Sequence, residues 1–228
     1  MRIVIKIVLI NLAFILASPL AAQDFDAGHE AYERGDYASA LRQLRPLAEH
    51  GLAKAQTLLA NMYEEGRGVE QDDSEALKWY RLAAEQGVAV AQFRLGYIYG
   101  TGWSMPTDYA KALKWWRAAA EQGHAKAQSN LGLMYKQGNG VPEDYAEAVK
   151  WYRMAAEQGN AFGQSLLGGM YQFGKGVAED HVLAHMWLNL AAGQGDHAAA
   201  LNRNLVAEVM TREQIAEAEE LAREWQPE

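Results

Sequence analysis

The sequence predicts an all-α solenoid of stacked helix hairpins, about five units on a 36-residue period, closed by a C-terminal capping helix region. Three observations carry this. The segment Trp151-Tyr-Arg-Met-Ala-Ala-Glu-Gln-Gly159 recurs as Trp79-Tyr-Arg-Leu-Ala-Ala-Glu-Gln-Gly87 and Trp115-Trp-Arg-Ala-Ala-Ala-Glu-Gln-Gly123, with a looser copy at Trp187-Leu-Asn-Leu-Ala-Ala-Gly-Gln-Gly195. Gly51, Gly87, Gly123, Gly159 and Gly195 stand 36 residues apart without slippage, and a fixed period of that size marks a repeat architecture. Within the frame Tyr63, Gly66 and Asp72, with the small Ala76 and Ala83, each recur in all four units.

Residues 1–22 stand outside the repeats. Arg2 and Lys6 accompany an apolar run through Phe14-Ile-Leu-Ala17, and Pro19-Leu-Ala-Ala22 leads into polar sequence, the pattern of a secretory signal peptide cleaved near Ala22. The alternative is a retained anchor, since about twenty apolar residues can span a bilayer. With cleavage the protein is expected to be periplasmic or secreted; membrane contact then arises only if the segment stays uncleaved.

Residues 23–51 read as a divergent first hairpin of tetratricopeptide type, turned at Tyr32-Glu-Arg-Gly-Asp36. Four full units follow at 52–87, 88–123, 124–159 and 160–195. In the first of these, residues 53–64 and 73–86 each place Ala, Leu or aromatic residues on one helical face. Gly66 can close the first helix in the left-handed conformation, and Asp72 or Asp73 can cap the second. Alanines allow close helix approach while Trp79 and Tyr80 fill the wider gaps. Residues 196–228 read as the cap: one helix from Ala198 to Met210, then a second begun by Thr211 with Gln214 three residues on. A polar outer face is what a terminal repeat requires.

The pattern Ala-x-Ala-Gln-x-x-Leu-Gly-x-x-Tyr-x-x-Gly-x-Gly-Val-x-x-Asp-x-x-x-Ala-x-x-Trp-Tyr-x-x-Ala-Ala-Glu-Gln-Gly, followed closely by residues 124–159, resembles the Sel-1-like repeat, a relative of the tetratricopeptide repeat. The resemblance covers nearly all of 52–195 and implies a right-handed superhelical solenoid. His185-Met-Trp-Leu-Asn-Leu-Ala-Ala192 with the sequence from Met210 is similar to the carboxy-terminal end of bacterial proteins with these repeats, which implies a stack that ends without an appended catalytic domain.

Composition narrows the function classes. The 228 residues carry a formal charge of −8 and no cysteine. An acidic chain without a basic cluster argues against nucleic acid, whose binding depends on neutralising phosphates. Thiol catalysis and disulfide staples are excluded. Neither a Ser-x-x-Lys nor a Gly-x-Ser-x-Gly nucleophile motif is present. His181 and His185 have the i, i+4 spacing of a metal pair but lack the Glu of a zinc-protease helix, and surface histidines without a ligand role explain them better. The repeated Asp72, Asp108, Asp144 and Asp180 are expected as caps or turn residues. Neither a metal nor a cofactor is expected.

If the repeated residues are scaffold, specificity lies in positions that vary: 54, 57, 58, 61 and 64 on the first helix and their equivalents, which related repeats turn toward the concave surface. There Phe93, Arg94 and Tyr97 are residue types that dominate interface energies, with Asn130 and Leu133 beside them as groove candidates. The same aromatic residues also suit packing into the adjacent repeat. Trp103, where other units carry Arg67, Asn139 and Lys175, is a candidate exposed loop residue, or else folds over its own hairpin.

These readings predict a non-enzymatic adaptor that binds a protein or peptide partner in the concave groove. Two alternatives stand beside it. One is β-lactam binding and slow hydrolysis, as the resemblance implies for cysteine-rich relatives; the other is a purely structural envelope role.

Overall fold

The computed structural model describes residues 19–103 and 105–227, with side chains from Asp24 onward. Most of the expected signal segment lies outside the described residues. Among those described there are twelve helices and no strand, and no helix is long and apolar enough to cross a membrane. They form two compact units, one reaching to Pro106 and one starting at Thr107.

The first unit holds α1 (Pro19–Glu33), α2 (Tyr37–Glu49), α3 (Ala53–Glu65), α4 (Asp73–Glu85) and α5 (Ala89–Thr101). The second holds α6 (Tyr109–Glu121), α7 (Ala125–Gln137), α8 (Tyr145–Glu157), α9 (Ala161–Phe173), α10 (His181–Gly193), α11 (His197–Ala207) and α12 (Arg212–Glu224). Each of the eight helices of the four full repeats is 13 residues long, so the period of the sequence is also the period of the fold.

Helix ends are set by the recurring residues. Asp72, Asp108, Asp144 and Asp180 each accept backbone N–H groups at the start of the second helix of their hairpin. Gly66, Gly138 and Gly174 close the first helix at φ of 66°, 70° and 58°. The second glycine of the Gly-x-Gly pair has a separate reason. A Cβ on Gly140 would stand 3.0 Å from the carbonyl oxygen of Tyr109, and one on Gly176 would run into the backbone of Tyr145, so the loop lies directly on the preceding hairpin. The second full repeat has Ser104 at this place.

Ala76, Ala112, Ala148 and Ala184, with Ala83, Ala119, Ala155 and Ala191, are wholly buried and let helices pack closely. Tyr80, Tyr152 and Leu188 fill the core between them.

Stacking also uses two polar ladders. Gln56, Gln92, Gln128 and Gln164 are buried and donate to the carbonyls of Ala48, Ala84, Ala120 and Ala156 at 3.1–3.3 Å. Those carbonyls belong to the last turn of the preceding hairpin's second helix, where the turn glycine's N–H is their local donor and the glutamine is the second. Gln86, Gln158 and Gln194 then donate to Gln56, Gln128 and Gln164 at 2.7–2.8 Å. The repeated Ala-Gln and Glu-Gln-Gly sequences are therefore the two halves of one buried contact. In parallel, Arg45, Arg81, Arg117 and Arg153 reach the hydroxyls of Tyr63, Tyr99, Tyr135 and Tyr171, 18 residues on, at 2.6–3.1 Å.

At the carboxy-terminal end Asp196 caps α11, and Thr211 with Gln214 forms a reciprocal capping box on α12. Trp225 packs edge-on to Trp187 at 6.0 Å. The outer face of α12 is polar as a cap requires, but α11 departs from that expectation, exposing Leu201 and Leu205, with Val209 exposed just after it.

Candidate functional site

Positions that vary between repeats lie on the first helix of each hairpin, and in both units they front an open concavity. In the first unit Lys54, Thr57, Leu58 and Asn61 of α3 line a mainly apolar groove of about 380 Å³. Val90 of α5 and the stacked rings of Phe25 and His29 on α1, 5.9 Å apart, complete it. In the second unit Lys136 of α7, Ser165, Leu166, Gln172 and Phe173 of α9 and Asn202 of α11 surround about 270 Å³, with Lys175 beside them.

The first unit carries a polar cluster on this face. The Tyr80 hydroxyl donates to the Glu64 carboxylate and lies 2.6 Å from Asn61 Oδ1. Arg94 pairs with the other oxygen of Glu64 at 3.4 Å. Burial first, and the Glu64 carboxylate second, push the Tyr80 hydroxyl well above the ordinary tyrosine range, so it stays a donor. The corresponding positions of the second unit, two repeats on, are Tyr152, Leu133 and Lys136. Tyr152 is fully buried and its hydroxyl has no hydrogen-bond partner. Burial alone pushes that hydroxyl upward too.

The groove candidates divide between the units. Phe93 and Arg94 are half-buried and Tyr97 is 44% exposed on α5, one turn apart in the first unit. Asn130 and Leu133 are half-buried on α7 in the second. Two of the variable positions are buried: Thr57, which still borders the groove, donates to the Ala53 carbonyl at 2.9 Å, and Ser129 donates to Asn160 at 2.9 Å. Trp103 lies in the turn after α5 and is half-buried, not fully exposed.

The histidine pair needs a correction. His181 is partly exposed beside Glu179, at 3.5 Å, but His185 is only 4% exposed, with Nδ1 unpartnered. It is a core residue of α10, turned inward by the apolar flanks Ala184, Met186 and Trp187 that share its burial. No cluster of three or more metal-ligating side chains occurs among the described residues.

Residues missed from sequence are Phe25 and His29, which lie in the divergent first hairpin where the period offers no ruler, and Leu201 and Leu205. The last two were within reach: 36-residue steps from Phe93 and Tyr97 land on them.

The comparisons agree with this architecture. The Sel1 repeat pattern matches residues 53–88, 89–124, 125–160 and 161–196. A protective antigen of uropathogenic Escherichia coli with an SLR fold is 35% identical over 90% of this chain, with a TM-score of 0.82; this chain spans 45% of that protein's length. A Sel1 repeat protein from Oxalobacter formigenes is 31% identical, covering 93% of this chain and 92% of its own, with a TM-score of 0.75. An immunity protein of Pseudomonas aeruginosa, 22% identical over 91% of this chain and 80% of its own, shares the fold at a TM-score of 0.51. No curated protein matches.

Proposed function

Because this chain belongs to the Sel1 repeat family, whose members generally mediate protein–protein interactions, we propose that it is a non-enzymatic scaffold or adaptor of the bacterial envelope. It binds a partner protein or peptide along the first-helix faces of its hairpins, with Phe93, Arg94, Tyr97, Asn130 and Leu133 among the contacting residues. The observation that carries this reading is the division of labour within the repeat. Recurring residues are consumed by caps, close packing and the glutamine ladder, while varying ones front the open concavities of both units. Concave surfaces of stacked repeats bind extended or helical segments through apolar anchors with polar neighbours fixing register.

The β-lactam reading loses its footing. It rests on relatives whose repeats are closed by cysteines, and this chain has none.

Chemical crosslinking of the full chain in its native envelope, followed by mass spectrometry, tests the proposal. The expected result is a dominant partner crosslinked to first-helix residues, weakened by Phe93→Ala with Tyr97→Ala at little change in melting temperature. Self-crosslinks alone, or none above an unrelated acidic control, would overturn it.

A further inference from the structure

The second unit presents an apolar surface that its own helices leave uncovered. On α11 and just beyond it Leu201, Leu205 and Val209 follow one another at one-turn spacing and are 67%, 54% and 67% exposed. Phe173, at the end of α9, is 65% exposed. Singly exposed leucines are ordinary, but four large apolar groups gathered at two neighbouring helices are not.

A cationic rim adjoins Phe173 and the first half of α11. Phe173 and Asn202 form part of the concavity between α9 and α11, whose other lining residues include Lys136, Lys175 and Gln172 and no carboxylate. In a chain of formal charge −8 two lysines without an acidic neighbour in the lining run against the overall balance. Neither lysine forms an ion pair among the described residues; Lys175 lies over the Tyr145 ring at 5.3 Å. On the far edge of the stripe stands Glu208, exposed at the end of α11. The surface therefore has an apolar centre, a basic side and an acidic side.

The repeat register sharpens the charge argument. In the first unit the place of Lys136 is taken by Glu64, which accepts from Tyr80 and pairs with Arg94. The second unit has a lysine there, and the Tyr152 hydroxyl beneath is unpartnered. One unit supplies its own carboxylate to this face and the other supplies none.

We propose that the face built from Phe173, Leu201 and Leu205, with Lys136 and Lys175 at its edge, docks an acidic amphipathic helix of a partner protein. This deepens the scaffold reading above and rests on it. Leucine-type residues at i and i+4 of the partner lie on the α11 stripe, and glutamates or aspartates along one edge of that helix face the two lysines, away from Glu208. A second copy is a poorer occupant. The chain's own acidic amphipathic helix, α12, already spends its apolar side at home, with Ala218 buried and Trp225 against Trp187.

The test is a fluorescence-anisotropy titration of the full chain with a synthetic helical peptide bearing a leucine face and glutamates along one edge. Two control peptides carry lysine for each glutamate, or serine for each leucine. The acidic peptide is expected to bind at least tenfold more tightly than either control. Leu205→Asp and Phe173→Ser should each weaken it tenfold or more. Lys136→Glu with Lys175→Glu should weaken it further and improve binding of the lysine peptide.

Melting curves accompany every variant, and Lys136→Glu should melt no lower than the parent, since it places an acceptor near Tyr152. Equal binding of acidic and basic peptides, or indifference to Leu205→Asp, would overturn the proposal. So would a concentration-dependent dimer in sedimentation that Leu205→Asp abolishes. A native partner crosslinked only to the first unit's groove, with no peptide binding here, would leave the scaffold reading standing and remove this one.

Discussion

The two units solve the same packing problem and leave opposite surfaces. Tyr80 and Tyr152 are both fully buried between the helices of their hairpins. Above Tyr80, Asn61 and Glu64 take up the hydroxyl and Arg94 balances the carboxylate; above Tyr152, Leu133 and Lys136 occur instead and the hydroxyl is unpartnered. The indole nitrogens repeat the contrast, since Trp79 Nε1 donates to Glu75 at 3.0 Å while Trp151 Nε1 is buried without a partner. The frame tolerates this because it is held by the glutamine ladder and the alanine contacts, which are the same in both units. The face is thus free to change chemistry without changing the fold.

The strongest way to break that comparison is to cut the frame in each unit. Gln56→Leu and Gln128→Leu each remove one of the two donors to a carbonyl, of Ala48 and Ala120, leaving the Gly51 or Gly123 N–H, and remove an acceptor of Gln86 or Gln158. Each is expected to cost about 1–2 kcal/mol in denaturant unfolding, since two hydrogen bonds are lost and each contributes about 0.5–1.5 kcal/mol net. Nearly equal losses are the expectation; a loss in one unit alone would mean that the frames are not equivalent.

Smaller and opposite effects should separate the faces. Tyr80→Phe strands Glu64 and Asn61 in part and is expected to cost about 1 kcal/mol, whereas Tyr152→Phe removes an unsatisfied hydroxyl and should be neutral or mildly stabilising. Transplanting the first unit's acceptors with Leu133→Asn and Lys136→Glu should recover up to about 1 kcal/mol. That gain should vanish when Tyr152→Phe is added, which a double-mutant cycle reads directly. Identical responses of the two tyrosines would end the argument from this face.

The sequence showed the frame and only part of the face, for a physical reason. Frame residues recur because every hairpin must meet the next in the same way, so Gly66, Asp72, Ala76 and Gln56 announce their roles by repetition. The Thr211–Gln214 capping box was equally legible, being local. Face residues are those freed from repetition, and nothing in the period says which of them stay open. Thr57 and Ser129 turned inward to bond neighbouring groups, Trp103 lies half-buried, and His185 sits in the core where a surface histidine was expected. The stripe of Leu201 and Leu205 stands in register with Phe93 and Tyr97 three repeats on, but the period alone does not say that α11 leaves it exposed.

The smallest expected effect is a pH dependence at two histidines of the second unit. His185 on α10 and His124 at the start of α7 both have imidazoles held below the ordinary histidine range, by burial first in each case. Arg203 on α11 adds to the effect at His185 and Glu219 on α12 opposes it, while His124 Nδ1 accepts the Ala127 N–H at 3.2 Å and must be unprotonated to do so. The folded state therefore takes up these protons less readily than the unfolded chain. Stability should be unchanged above pH of about 6.5, the ordinary histidine value, and decline as pH falls below it. Neither α3 nor α4 contains a histidine. Native-state hydrogen exchange between pH 7.5 and 5 should then show amides of α7 and α10 losing protection while those of α3 and α4 keep theirs, and His185→Gln should remove the loss at α10 only. Parallel losses in both units would assign the pH response to the chain's overall charge, and the contrast between the two units would then be one of surface alone.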